Sequence, residues 1–233
     1  MADITFHSMP DSAYLWTAMH VADEKGVTWE LNPLVYRSAE HLKLHPFGKM
    51  PILQHGAFFL YETLAIAHYI DEAFSGPALQ PQGARARAEM LRWISIVNSY
   101  VFPTMNRFMK ERLVKEAWGL EPDADFLASA QGPLKLQMRM IDEQLSRTPY
   151  LAGNWPTLAD SFLLPDLLFY AITAEGRVAL TKARGAAEWL ARMKARPTYQ
   201  KSPMRTAYEF MSAGPAAKAQ EERVAEVAID DVC

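Results

Sequence analysis

Few residues of this chain have side chains suited to chemistry, and most of them fall in its first third. Ser12 closes a Met9-Pro10-Asp11 turn just ahead of an apolar repeat. Judged by its neighbours it is a helix N-cap. Its hydroxyl is also a hydrogen-bond donor, and Tyr14 offers a phenol from the same first turn. Met50-Pro51 is open to two readings, a trans proline opening a strand or a cis turn. Glu62-Thr63 begins another apolar helix, and Arg37 and Lys49 are cations with no partner evident in sequence. His41 and His45 lie four residues apart, but no third ligand follows at a useful distance, so no metal site is expected. Gly48 is isolated and forms no phosphate-cradling loop. The single cysteine, Cys233, is the last residue, which leaves no Cys-x-x-Cys pair, internal disulfide or thiolate metal site.

These residues need a frame, and composition limits what it can be. The chain has 233 residues, 50% of them hydrophobic, with 24 basic and 27 acidic side chains for a net charge of −3. That apolar content excludes a disordered chain. The near-neutral charge gives no broad drive toward nucleic acid or an anionic membrane. No apolar run approaches the ~20 residues that span a bilayer. The first residues, MADITFHSMPD, lack the basic start and apolar core of a signal peptide. A reduced, cytoplasmic protein is expected.

The patterning divides the chain in two. Residues 4–6 read as a strand. From Ala13 to Lys25 the apolar positions Leu15, Ala18, Met19 and Ala22 recur at helical spacing, and Gly26 sits at the C-cap. Residues 28–31 read as a second strand, parallel to the first, and residues 38–44 as one or two helical turns. Two short apolar runs around His55-Gly56 form a hairpin, followed by a helix over 63–74. The order β-α-β, α, β-β-α predicts a mixed four-stranded sheet covered by helices, an α+β domain over 1–76. Residues 77–83, rich in Pro and Gly, predict a linker. Beyond it, 84–233 predicts an all-α domain. Its helices cover 85–112 (kinked at Pro103), 125–145, 157–172, 185–194 and 198–211. Thr157 and Asp160 form a capping box, and residues 214–233 read as a surface helix or flexible tail.

This order, with four local matches, resembles the cytosolic glutathione transferases, which join a thioredoxin-like domain to an all-α helical bundle. The matches are Pro10-Asp11-Ser12 leading to Glu24-Lys25-Gly26; His45 to Pro51; Tyr61-Glu62-Thr63-Leu64-Ala65-Ile66 followed by Tyr69-Ile70; and Tyr150-Leu151-Ala152-Gly153 leading to Asp160. Ser12 aligns with the catalytic serine of theta- and phi-like members. The Ser12-Ala13-Tyr14-Leu15-Trp16 run resembles the Ser-x-Tyr-x-Trp pattern of some bacterial β-etherase-type members, which keeps Tyr14 as a rival donor. The absence of cysteine near Ser12 argues against the cysteine-based members and against a disulfide reductase.

The resemblance implies glutathione as co-substrate, and its chemistry sets a requirement. A thiol of pKa ~8.5 is only a few per cent ionised near neutral pH. Lowering that value by about two units takes roughly 2.7 kcal/mol of preference for the anion. One hydroxyl donating to sulfur supplies about 1.5–3 kcal/mol, and a helix N-terminus adds a few tenths to one more. A single hydroxyl suffices. The family pattern further implies that cis Pro51 exposes the Met50 backbone to the cysteinyl part, that Glu62 and Thr63 meet the γ-glutamyl amine and carboxylate, and that Lys49 and Arg37 meet the glycyl carboxylate. Tyr100, Met105 and Phe108 are expected to line a pocket for the electrophile. A homodimer is expected, with no metal, nucleic-acid or membrane partner. Conjugation, peroxide reduction, aryl-ether cleavage and isomerisation all use the same thiolate, and a non-catalytic binding module of the same fold is the remaining alternative.

Overall fold

The computed structural model describes residues 2–202 and 204. Strand β1 (Ile4–Ser8) is followed by α1 (Ala13–Lys25), β2 (Trp29–Pro33), the short α2 (Ala39–Leu44), the hairpin β3 (Ile52–His55) and β4 (Phe58–Tyr61), and α3 (Thr63–Ala73). The strands form one sheet in the order β2-β1-β3-β4, with β1 and β2 parallel and the other pairs antiparallel. Leu15, Met19 and Ala22 of α1 and Ile66 and Ile70 of α3 are buried in one core with Ile4, Phe6 and Leu53 of the sheet.

The register decides where chemistry can gather. Ser8 pairs with Pro33, His7 with Ile52, and Ile52 with Tyr61. The C-terminal ends of β1, β2 and β4 and the N-terminal end of β3 therefore meet at one end of the sheet. Every segment of the sheet half that carries a candidate residue meets that end: the turn into α1, the loop into α2, the loop into β3, and the start of α3.

The remaining elements are helical. One long column comprises α4 (Ala84–Ile96), a π-helical turn (Val97–Val101), α5 (Phe102–Met109), a second π-helical turn (Lys110–Val114) and the final turn α6 (Lys115–Ala117). The kink expected at Pro103 is thus realised as a π-helical turn. Proline lacks an N–H and its ring clashes with the carbonyl four residues back, and widening the preceding turn relieves the conflict. Helices α7 (Ala124–Leu145), α8 (Leu158–Ile172), α9 (Ala174–Lys182), α10 (Arg184–Lys194) and α11 (Pro197–Lys201) follow. All fifteen residues of α8 are buried, which makes it the axis of the helical half. Its start is fixed as the capping box predicted, with Asp160 accepting from the Thr157 N–H at 2.8 Å. Helix α9 has no counterpart in the sequence reading, because it is short and carries no apolar stripe. It turns tightly out of α8: a Cβ on Gly176 would lie 1.8 Å from the Tyr170 carbonyl oxygen. The expected continuation of the last helix to 211, the tail 214–233 and Cys233 lie outside the described residues. No helix among those described is long and apolar enough to cross a membrane.

The two halves are joined along α1. Trp16 stacks on Phe169 of α8 with ring centroids 4.9 Å apart, and the His20 ring is 3.0 Å from the Ser161 hydroxyl. Farther along, Arg196 and Thr198 both donate to the Glu24 carboxylate.

Candidate functional site

Ser12 caps α1 as its position predicts, and the way it does so matters. Its Oγ accepts from the Leu15 N–H at 3.4 Å, a long contact that uses a lone pair and not the hydroxyl proton. Among the described residues no acceptor takes the Ser12 O–H. The donor is thus unspent, half-buried and at the positive end of a helix. Tyr14 differs. Its hydroxyl donates to Asn98 Oδ1 at 3.3 Å, and its ring lies 4.3 Å from that of Phe102, so it is built into the helical half. Burial, with the charge of Glu62, pushes the phenol far up from its usual range, so it stays neutral.

The cis peptide expected at Met50–Pro51 is present. Met50 lies beyond the end of the ladder, and among the described residues its backbone N–H and C=O have no backbone partner. Its sulfur accepts from the Met9 N–H at 3.1 Å, tying this loop to the turn that carries Ser12. At the neighbouring helix start Glu62 has φ 73°, a left-handed conformation that disfavours side chains other than glycine, and Thr63 is buried behind it. Such outliers gather where surroundings hold a backbone for a purpose. The Glu62 side chain is 65% exposed, with Oε1 4.0 Å from His45 Nε2. Burial, aided by the charge of Lys49, lowers the basicity of His45 against the pull of Glu62.

Arg37 and Lys49 are both exposed, and His41 clasps their backbones. The Arg37 N–H donates to His41 Nδ1 at 3.0 Å, so that nitrogen is the acceptor. Nε2 therefore carries the proton and donates to the Lys49 carbonyl at 2.9 Å. Arg37, at φ 53°, is the second non-glycine residue in the left-handed region. Sequence reasoning treated His41 only as half of a poor metal pair. Its short helix between two basic loops was the available sign of a strut. Among the described residues no group of three or more metal-ligating side chains occurs.

The structure does not bring the three residues expected to line the electrophile's pocket to one surface. Met105 and Phe108 are fully buried in the core and have no surface to present, and Tyr100 is 63% exposed. The π-helical turn before Pro103 adds a residue to one turn, so positions before and after it do not share a simple 3.6-residue register. The column meets α1 through Asn98 and Phe102, neither of which the sequence reading selected. Asn106 and Lys110 follow at steps of four. These four residues are half-buried, while Pro103 and Arg107 beside them are exposed and Met105, Phe108 and Met109 are core.

With this geometry in place, comparison with known proteins decides the family. Residues 6–78 match the family of the glutathione S-transferase N-terminal domain and residues 93–197 that of the C-terminal domain. Glutathione S-transferase 3 of Zea mays is 30% identical over 211 residues, covering 87% of this chain and 94% of the relative. The chain belongs to the glutathione S-transferase family. The fold agrees: the apo structure of a glutathione S-transferase III superposes with TM-score 0.79 at 28% identity, covering 89% of this chain and 97% of that one. A theta-class glutathione S-transferase from Xanthomonas axonopodis pv. citri, solved with glutathione bound, superposes with TM-score 0.73 at 26% identity, covering 86% and 97%. The unspent hydroxyl, the uncommitted Met50 backbone and the helix start at Thr63 are chemically suited to a thiolate, a peptide edge and a carboxylate.

Proposed function

We propose that this chain binds glutathione at the common end of its sheet, holds the sulfur as thiolate through Ser12, and transfers it to a hydrophobic or aromatic electrophile. In this reading Met50 pairs with the cysteinyl backbone, Thr63 and the α3 N-terminus hold the γ-glutamyl carboxylate, and Glu62 holds its ammonium. Lys49 and Arg37, braced by His41, hold the glycyl carboxylate. The enzyme works as a cytoplasmic homodimer, and the domain boundaries are those set by residues 1–76, 77–83 and 84–233.

The observation that carries the reading is the contrast between two hydroxyls on one turn. Ser12 caps α1 with a lone pair and keeps its proton, whereas Tyr14 gives its proton to Asn98. A thiolate needs a donor, and only the first is unspent. Conversion of Ser12 to Ala is expected to lower kcat/KM for 1-chloro-2,4-dinitrobenzene near neutral pH by roughly 100-fold, the equivalent of about 2.7 kcal/mol. Tyr14→Phe is expected to stay within about threefold. Loss of activity in Tyr14→Phe with Ser12→Ala intact would move the donor to the phenol. A folded wild-type protein that does not bind glutathione would leave a binding module instead.

A further inference from the structure

We propose that the electrophile of this chain carries an anionic group, a carboxylate or similar, and that Lys110 holds it. The inference rests on the functional reading above and concerns the second substrate.

The long helical column turns one stripe toward α1. Asn98 accepts from the Tyr14 hydroxyl and Phe102 packs on the Tyr14 ring, which fixes that stripe's direction. Residues four apart on a helix share a face, so Asn106 and Lys110 continue it for two more turns. All four are half-buried, between a core face and an exposed one. A wall for a purely apolar electrophile would not be expected to read Asn, Phe, Asn, Lys.

Lys110 stands where the second π-helical turn begins. Several partly or fully buried cations of the helical half and of α1 have carboxylate partners: Lys25 with Asp71, Arg112 with Glu175, Lys115 with Glu111, and Arg196 with Glu24; Arg192 instead donates to the Pro149 carbonyl. Lys110 has no ion pair among the described residues. The charges facing it from other elements are Asp11, next to Ser12, and the like charge of Lys49. Burial and Lys49 lower its basicity, and Asp11 opposes them. A partly desolvated ammonium without a counter-ion gains when an anion arrives. The glycyl carboxylate already has two cations on the sheet half, Lys49 and Arg37, whereas Lys110 comes from the helical half beside the reacting corner. The second substrate is the better match.

The test compares 4-chloro-3,5-dinitrobenzoate with its methyl ester. In each, the thiolate attacks the chlorine-bearing carbon, a C–S bond forms and chloride leaves with the C–Cl electron pair, so no further reactant is needed. Lys110→Met is expected to raise KM for the acid about tenfold and to leave KM for the ester and for glutathione unchanged. Lys110→Arg is expected to keep the preference for the acid. Calorimetric affinity for 3,5-dinitrobenzoate, which has no leaving group, should fall in parallel in Lys110→Met and reports the site without turnover. Equal effects on acid and ester, or a change confined to glutathione KM, would overturn the assignment. Turnover of the ester by wild type checks the transferase reading separately. If the ester is not turned over yet the dinitrobenzoate affinity depends on Lys110, the functional reading fails and the anion site stands.

Discussion

The two ends of α1 are built on opposite principles. At its C-terminal end every charged group is engaged. Glu24 accepts from Arg196 and Thr198, Lys25 sits 3.1 Å from Asp71, and Asp71 also accepts from the Leu79 N–H and the Gln80 side chain. Gly76 closes the packing there, because a Cβ on it would lie 2.5 Å from the Lys25 carbonyl oxygen. At the N-terminal end the Ser12 proton, the Met50 backbone and the Lys110 ammonium have no partner among the described residues, and Glu62 and Arg37 hold left-handed backbones. One end pairs its carboxylates with cations, and the other leaves donors open. Contacts between the halves run along the whole helix, from Tyr14 and Trp16 to Glu24, so what distinguishes the N-terminal end is its open donors.

The sharpest way to break this contrast is through His20, the buried member of the satisfied end. Its Nδ1 faces Ser161 at 3.0 Å, while Nε2 is 3.5 Å from Glu24, too long for a good hydrogen bond. Burial pushes its pKa down to about 4, against the pull of Glu24. The folded protein therefore keeps His20 neutral, while the unfolded chain takes up a proton below the usual ~6.5. Stability contributed by neutral His20 is complete above that value and is lost as pH falls toward about 4. The loss expected in chemical denaturation is about 3 kcal/mol over that window, and His20→Gln should flatten it.

The next effect falls on the clamp between the halves. Glu24→Gln leaves Arg196 without its counter-charge, and unfolding should show a loss of about 2 kcal/mol, reduced from the fully buried case because Arg196 remains partly in water. Conjugation by the folded variant should be unchanged, since the clamp lies at the far end of α1. Lost activity with full stability would show that the two ends are not independent.

The smallest effect concerns Asp166 of α8, a buried carboxyl whose Oδ1 has no hydrogen-bond partner among the described residues. Burial holds its pKa well above the usual carboxylate range. The folded state keeps the proton and the unfolded chain releases it above pH ~4, so this group weakens the fold as pH rises. Asp166→Leu should stabilise by about 1 kcal/mol near neutral pH, with the gain shrinking toward pH ~4. A gain that grows in acid would contradict the protonated state.

This division was partly legible in the sequence. Ser12 and the start of α3 announce themselves by turn chemistry and order, and the cis form at Pro51 by the family resemblance, because strand register alone brings their segments to one sheet end. The residues that look outward from the helical half were not legible. Reading Tyr100, Met105 and Phe108 as pocket assumed an even helical period, whereas the π-helical turn ahead of Pro103 breaks the phase and leaves Met105 and Phe108 in the core. The role of His41 depends on backbone atoms of two loops meeting across α2, which no side-chain pattern records. Lys110 looks like any surface lysine until the absence of a counter-ion is seen beside its burial.

The central claim is that a single hydroxyl, that of Ser12, keeps bound glutathione ionised. Titrating the ultraviolet absorbance of the thiolate in the complexes of wild type, Ser12→Ala and Tyr14→Phe measures this directly. The account predicts an acid-shifted midpoint in wild type and Tyr14→Phe, and a return toward the free-thiol value of ~8.5 in Ser12→Ala. An unshifted midpoint in Tyr14→Phe, with Ser12→Ala matching wild type, would contradict it.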